Sequence, residues 1–204
     1  MENQSTKGFT LLELMVVVAI LGVISAVGIP NFLSWSTDRN VRSANENTAS
    51  LITTLNTQTQ RGVYPFTQIL VTLNQNNTVV IEGKGKTRES ISQLVEDLAC
   101  DMADDYWNTV VSEFTFEDVF VHVPDQSAIC FSKDEANYEV VGGLLANVLL
   151  NGGDLGADIN NYLIFCASLD NCDDTPEEPA YMVVWSRFGN VSKFKYSSDE
   201  WIMQ

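Results

Sequence analysis

The spacing of apolar and polar positions changes three times along the chain. From Leu14 to Thr37 there is no charged residue, and the run from Leu14 to Ile29 is almost wholly apolar. That is close to the length a helix needs to cross a bilayer. After Pro30 the pattern thins to an amphipathic stripe of Val41, Ala44, Thr48, Leu51, Ile52 and Leu55, with polar residues between them. This is helical spacing. Arg61-Gly62 is a stop signal, a basic last turn followed by a glycine. Together these predict one helix from Thr10 to Arg61, roughly 78 Å long at about 1.5 Å per residue. Its second half should lay its apolar stripe on a sheet. Pro30 lies inside it and lacks a backbone donor, so a bend or a melted stretch is expected between Gly22 and Pro30.

Beyond Gly62 the helical period is lost. Residues 62–89 are polar, with a short strand candidate at Thr78 to Ile81, and "GKGK" reads as a loop. A second helix is predicted from Ser90 to about Trp107. Ser90 and Gln93 would form its capping box, and Ile91, Leu94, Val95, Leu98 and Met102 would line one face. From Glu113 onward the pattern is strand-like. Candidates are Phe114 to Val123, Ala128 to Phe131, Tyr138 to Val141, Tyr162 to Cys166, Tyr181 to Arg187 and Val191 to Tyr196, the last two joined by "FGN". "LLANVLL" from Leu144 to Leu150 is ambiguous between strand and helix. The fold class read from this order is α+β, a long N-terminal helix packed on an antiparallel sheet head. There is no internal repeat and no linker long enough to separate two head domains.

Charge narrows the partners. The 204 residues carry 27 acidic and 11 basic side chains, a formal net charge of −16. Nucleic acid and anionic lipid are poor partners for such a surface, because binding them relies on Lys and Arg. His122 is the single histidine, which argues against a His-based triad or a multi-His metal site. There is no G-x-S-x-G and no phosphate loop, so the reading is not an enzyme. Cys100, Cys130, Cys166 and Cys172 form an even set without a C-x-x-C pair, and export would make two disulfides of them. Cys166 with Cys172 is the favoured pair, being close in sequence. Cys100 with Cys130 then follows by elimination among the three connectivities. Between and beyond the first pair, "LDNCDDTPEEP" gathers Asp170, Asn171, Asp173, Asp174, Glu177 and Glu178. Asp170, Asp173 and Asp174 are the candidate ligands of a calcium ion there, against the plainer reading of a solvated acidic loop.

Glu13 is the residue the apolar run does not explain. A carboxylate in hydrocarbon costs about 3 kcal/mol, and no basic residue lies a helical turn away. A removable secretory signal fits poorly, because the segment before the apolar core carries Glu2 beside Lys7. A plain membrane anchor leaves Glu13 without a purpose. The stretch "GFTLLELMVVVAILGVISAVGIPNF" resembles the N-terminal signature of type IV pilins and the related pseudopilins. The resemblance covers about residues 7–60. It implies a leader of residues 1–8, cleavage by a prepilin peptidase between Gly8 and Phe9, and N-methylation of Phe9. It implies that Glu13 of one subunit pairs with the Phe9 amine of a neighbour during assembly. It matches Gly22 and Pro30 to a helix region that can unwind when a filament packs. It divides the chain into leader (1–8), long helix with anchor and filament core in its first half (9–61) and globular α+β head (62–204).

The function implied by the resemblance is a structural subunit of a pilus filament, as a minor pilin in one form. It would be held in the bacterial inner membrane and then assembled at the cell surface with other copies by a dedicated machinery. Adhesion, motility or uptake are the roles such fibres serve. The alternative is a pseudopilin of a type II secretion system, some of which bind calcium in a C-terminal loop. The large head, acidic helix and four cysteines lean towards the pilin.

Overall fold

The computed structural model describes residues 10–74, 78–92, 99–103, 106–107, 109–123, 126–133, 139–141, 161–168, 172–173, 175–186 and 188–204. Helix α1 spans Leu11–Arg61. The chain divides into two compact units, Met1–Ser36 and Thr37–Gln204, and α1 contributes to both. In the first unit every described side chain from Thr10 to Trp35 is exposed.

α1 continues through Gly22 and Pro30, so the melted stretch expected there is absent from the isolated chain. One missing donor at Pro30 removes a single bond of the helix ladder. The long apolar side chains on either side, such as Leu21, Ile24 and Leu33, are good helix formers or tolerated in one, and they carry the helix across.

In the second unit α1 buries Val41, Ala44, Leu51, Ile52 and Leu55. Each large apolar side chain so removed from water contributes about 1.5–3 kcal/mol. The helix ends as expected, with Gly62 at φ 75° and the amides of Gly62 and Val63 donating to the carbonyls of Thr59 and Gln58.

Two antiparallel five-stranded sheets replace the single sheet anticipated. The first has the order β3-β2-β1-β5-β6, with β1 Phe66–Asn74, β2 Thr78–Lys86, β3 Thr109–Glu117, β5 Gln126–Ser132 and β6 Glu139–Val141. The second has the order β10-β9-β8-β7-β4, with β4 Phe120–Val121, β7 Tyr162–Cys166, β8 Ala180–Trp185, β9 Val191–Ser197 and β10 Glu200–Met203. Strand alternation sorts the core. Ile69, Val71, Val79, Ile81, Ile129 and Phe131 of the first sheet join Leu163, Phe165, Tyr181, Val183 and Trp185 of the second against α1. Their neighbours turn outward into two satellite cores. Phe66, Leu70, Trp107 and Cys130 form one, and Tyr162, Ile164, Met182 and Phe194 belong to the other.

Two expectations fail here for a reason visible in the spacing. "GKGK" is the end of strand β2, not a loop. Its glycines recur with period two, Gly83 facing α1 and Gly85 facing Tyr64 just past the helix end. A Cβ on Gly83 would stand 2.8 Å from Leu51 Cδ1, and one on Gly85 2.7 Å from the Tyr64 ring. The helix therefore closes onto backbone, and Lys84 and Lys86 point to the opposite face. Strand β1 was hidden in the same polar stretch, because Thr67, Gln68 and Thr72 hold positions that a burial pattern would fill with apolar residues. Thr67 Oγ1 and Thr59 Oγ1 of α1 share a buried hydrogen bond of 2.8 Å, which satisfies both.

The predicted second helix is also corrected. Among the described residues of that stretch only Arg88–Ser92, α2, is α-helical, capped by Thr87 Oγ1 accepting from the Ser90 amide. Residues 99–103 are not helical. There the Asp101 carbonyl accepts from Gln68 Nε2 and Trp107 Nε1, both at 2.7 Å, and Cys100 is tied to β5. Those tertiary bonds outweigh helical periodicity. Gln93, Leu94, Val95, Leu98 and the segment 144–150 lie outside the described residues. Asn45 is fully buried on α1 and neither of its amide atoms has a hydrogen-bond partner, which nothing in the structure explains.

Candidate assembly segment

Thr10 begins the apolar helix as its N-cap. Its Oγ1 accepts from the Glu13 amide at 3.2 Å, and its carbonyl accepts from the Leu14 amide at 3.2 Å. Glu13 is thus the third helical residue of a Thr-x-x-Glu pattern, a position where a carboxylate is favoured by the helix dipole. That signal was present in the sequence and escaped notice beside the larger question of why an acid is there. Among the described residues the Glu13 carboxylate forms no ion pair.

On both sides of Glu13 the helix shows a largely apolar surface, with Leu11, Leu12, Met15, Val23 and Phe32 all more than 60% exposed. It contains a stretch long and apolar enough to cross a membrane, and none of that stretch is buried within the chain. Among the described residues nothing lies within 4 Å of the Cβ positions of Gly22 and Gly28, so no contact with them requires these glycines. Gly8 and Phe9 lie outside the described residues.

The head holds its half of α1 by polar contacts as well as packing. Tyr181 Oη donates to Asp38 Oδ1 at 2.9 Å, Lys195 Nζ lies 3.7 Å from the same carboxylate, and Lys193 Nζ bonds Glu46 Oε2 at 2.6 Å. Asn56 Nδ2 donates to the Phe188 carbonyl at 2.7 Å in the β8–β9 turn. Burial, and after it the hydrogen bond to Asp38, pushes the Tyr181 phenol up to about 12. Below pH 10 the phenol is protonated in both folded and unfolded chains. Between pH 10 and about 12 the unfolded chain loses the proton first, so stability falls as pH rises through that window. Tyr181→Phe is expected to lose about 1 kcal/mol at neutral pH and to flatten the alkaline loss. Denaturant midpoints of the detergent-solubilised chain from pH 8 to 12 read this, and identical alkaline slopes would refute it.

Cys100 is bonded to Cys130 and Cys166 to Cys172. The first bridge ties Cys100 to β5, and Cys100, Met102, Tyr106 and Trp107 pack against Phe66 and Leu70 of the first sheet. Beneath it Lys86 Nζ donates to the Tyr106 carbonyl and sits 3.6 Å from the centre of the Tyr106 ring. Burial pulls this lysine below the ordinary ammonium range, against the charge of Asp101. The second bridge closes a short loop whose Cys172 carbonyl accepts from His122 Nδ1. Of the three candidate calcium ligands, Asp170 and Asp174 lie outside the described residues. Asp173 is exposed and its Oδ1 accepts from the amide of Thr175 at 2.9 Å, closing a turn. Among the described residues no group of three ligand side chains is placed to hold a metal ion.

The helix thus begins with a capped acid, carries an exposed apolar stretch long enough to cross a membrane and continues into a disulfide-braced head. Residues 3–29 match the family model described as the prokaryotic N-terminal methylation motif. The chain is similar to the type IV major pilin protein PilA of Myxococcus xanthus, 43% identical over 51 residues, which cover 25% of this chain and 23% of that protein. It is similar to a fimbrial protein of Pseudomonas aeruginosa, 26% identical over 98 residues, 44% of this chain and 61% of the relative. It is also similar to the type IV major fimbrial protein FimA of Dichelobacter nodosus, 39% identical over 51 residues, 25% of this chain and 33% of the relative. The matches thus span less than two thirds of the length of these curated relatives. No solved structure matches. The likeness to type IV pilins is concentrated in the N-terminal segment, where the methylation motif lies.

Proposed function

We propose that the chain is a structural subunit of a type IV pilus filament rather than an enzyme. A prepilin peptidase cuts it between Gly8 and Phe9, and the new amine of Phe9 is methylated. The apolar half of α1 holds it in the inner membrane until the assembly machinery moves it into a helical filament of other pilin copies at the cell surface. Adhesion, motility or uptake follow from the fibre. The observation that carries this reading is Glu13, an acid with no ion-pair partner among the described residues, at the head of an apolar helix whose described side chains are exposed. A cationic N-terminus on a neighbouring copy supplies the missing partner, and neighbouring helices cover the apolar surface. Open space around Gly22 and Gly28 allows such helices to approach closely.

The test is mass spectrometry of the exported protein. The expected mature chain starts at Phe9 and carries one added methyl group on its amine. A mature chain that keeps Met1, or that begins near Ile29, sinks the proposal.

A further inference from the structure

The two ends of the head unit carry patches of opposite charge, and the segment of α1 inside that unit sets their separation. Near its C-terminal end Thr59 meets Thr67 at the start of β1, and Asn56 meets Phe188 before β9. At its other end Asp38 meets Tyr181 and Lys195. From Asp38 to Arg61 the helix rises roughly 35 Å at about 1.5 Å per residue.

The C-terminal end is basic. Arg61 closes the helix, and Arg88 Nη2 lies 3.7 Å from the Cβ position of Gly62 between them in space. Both are exposed, and among the described residues neither forms an ion pair. Val63 beside them is 58% exposed. Lys133 follows Ser132, which pairs with Phe66, so it belongs to the same end, as does the acid Glu89 next to Arg88.

At the opposite end Lys195 and Arg42 lie around Tyr181 and Asp38, and the carboxylates gather at the turn beyond them. Ser197 pairs with Glu200, so the β9–β10 turn lies beyond Lys195 and its contact with Asp38. Ser198 and Asp199 both have positive φ, 55° and 62°, in a tight two-residue hairpin, and Glu178 Oε1 braces it by accepting from the Ser198 amide at 3.0 Å. Between this hairpin and residues 175–178 is a cleft of about 500 Å³ lined by Glu177, Glu178, Asp199 and Tyr196. The three carboxylates are not gathered closely enough to make a metal site. Charge spread around a cleft beside an aromatic ring suits a planar cation with several donors, which is a guanidinium.

We propose that this acidic cleft receives Arg61 and Arg88 of a second copy of the chain, so that heads stack end to end. The inference rests on the pilus reading above and adds to it a specific contact between heads. Copies with a net charge of −16 repel one another over most of their surface. A local match between a cationic end and an anionic cleft selects one docking register. Because the two patches differ, the contact is head-to-tail, the type of contact from which open helical filaments are built when its rotation does not close a ring.

The test uses the full-length chain in cells that lack other copies of it, with filaments sheared from the surface and quantified. Arg61→Glu with Arg88→Glu, and separately Glu177→Arg with Asp199→Arg, are each expected to lower filament yield by about tenfold or more, since like charges then face each other. Membrane levels of the chain should stay unchanged. The four substitutions combined in one chain restore complementarity with the polarity reversed, and yield should return to within about threefold of the unsubstituted chain. Should a reversal pair fail to accumulate, the Gln replacements at the same positions take its place with the same direction of effect. Reversal pairs that assemble normally, or a combined variant no better than its parents, overturn the contact while leaving the pilus reading intact. An unsubstituted chain that forms no filament sinks both.

Discussion

Glu13→Ala is expected to enter the membrane as well as the unsubstituted chain and to be nearly absent from filaments. Removing the carboxylate makes the apolar helix cheaper to keep in the bilayer and deletes the partner for a neighbour's amine. An unpaired carboxylate in hydrocarbon costs about 3 kcal/mol, which sets a loss of incorporation on the order of a hundredfold. The local role of Glu13 at the helix start must be separated from this. Glu13→Gln keeps a side chain that suits the Thr10 cap and removes only the charge. Both variants should fail alike when co-expressed with tagged wild type and scored in sheared filaments. If the glutamine variant assembles normally, the carboxylate serves the helix end and not the neighbour.

The second large effect is covalent. Cys100→Ser with Cys130→Ser opens a bridge across a sequence separation of 30 residues. Loop entropy at that length predicts a loss of about 3–4 kcal/mol. At roughly 2–4 °C per kcal/mol for a chain of this size, the head should melt about 10 °C lower. The loss should fall on the face of the first sheet where Cys100, Met102, Tyr106 and Trp107 pack against Phe66 and Leu70. Opening Cys166–Cys172, with a separation of 6, should cost about 2 kcal/mol. Thermal melts in detergent, with limited proteolysis to locate the opened segment, measure both. Equal losses for the two pairs would contradict the loop-length argument.

The parts of this fold that were legible in sequence are those where one physical signal had no competitor. The stripe from Val41 to Leu55 could only be a helix face, and it is buried as read. Strand β7, Tyr162–Cys166, coincides with its apolar run because nothing polar interrupts it. Where polar residues are satisfied by distant groups, the pattern misled. Thr67 and Gln68 looked like loop residues until Thr59 and the Asp101 carbonyl supplied their partners. Gly83 and Gly85 looked like loop glycines because the side chains that fill their space, Leu51, Leu55 and Tyr64, come from elsewhere. Strand β10 has only Trp201, Ile202 and Met203 as its apolar content and follows a turn of Ser and Asp with no glycine, so no hairpin signal marked it. At the candidate site, Glu13 stood out because its cost had no repayment within the chain, while the Thr10 cap is a weaker pattern that the same residue half conceals.

Neither disulfide joins α1 to a sheet. Cys100 and Cys130 link a covering segment to β5, and Cys166 and Cys172 close a loop beside β7. The helix is seated by its buried stripe, the Tyr181–Asp38 and Asn56–Phe188 hydrogen bonds and the Lys193–Glu46 ion pair. In a fibre under tension, force travelling along α1 therefore reaches the head through this packing and through the backbone that continues from Arg61 into β1, and through neither bridge. The bridges lie off that load path, so reducing them should weaken the head's outer faces to heat and protease without lowering the force at which the helix slides from its seat.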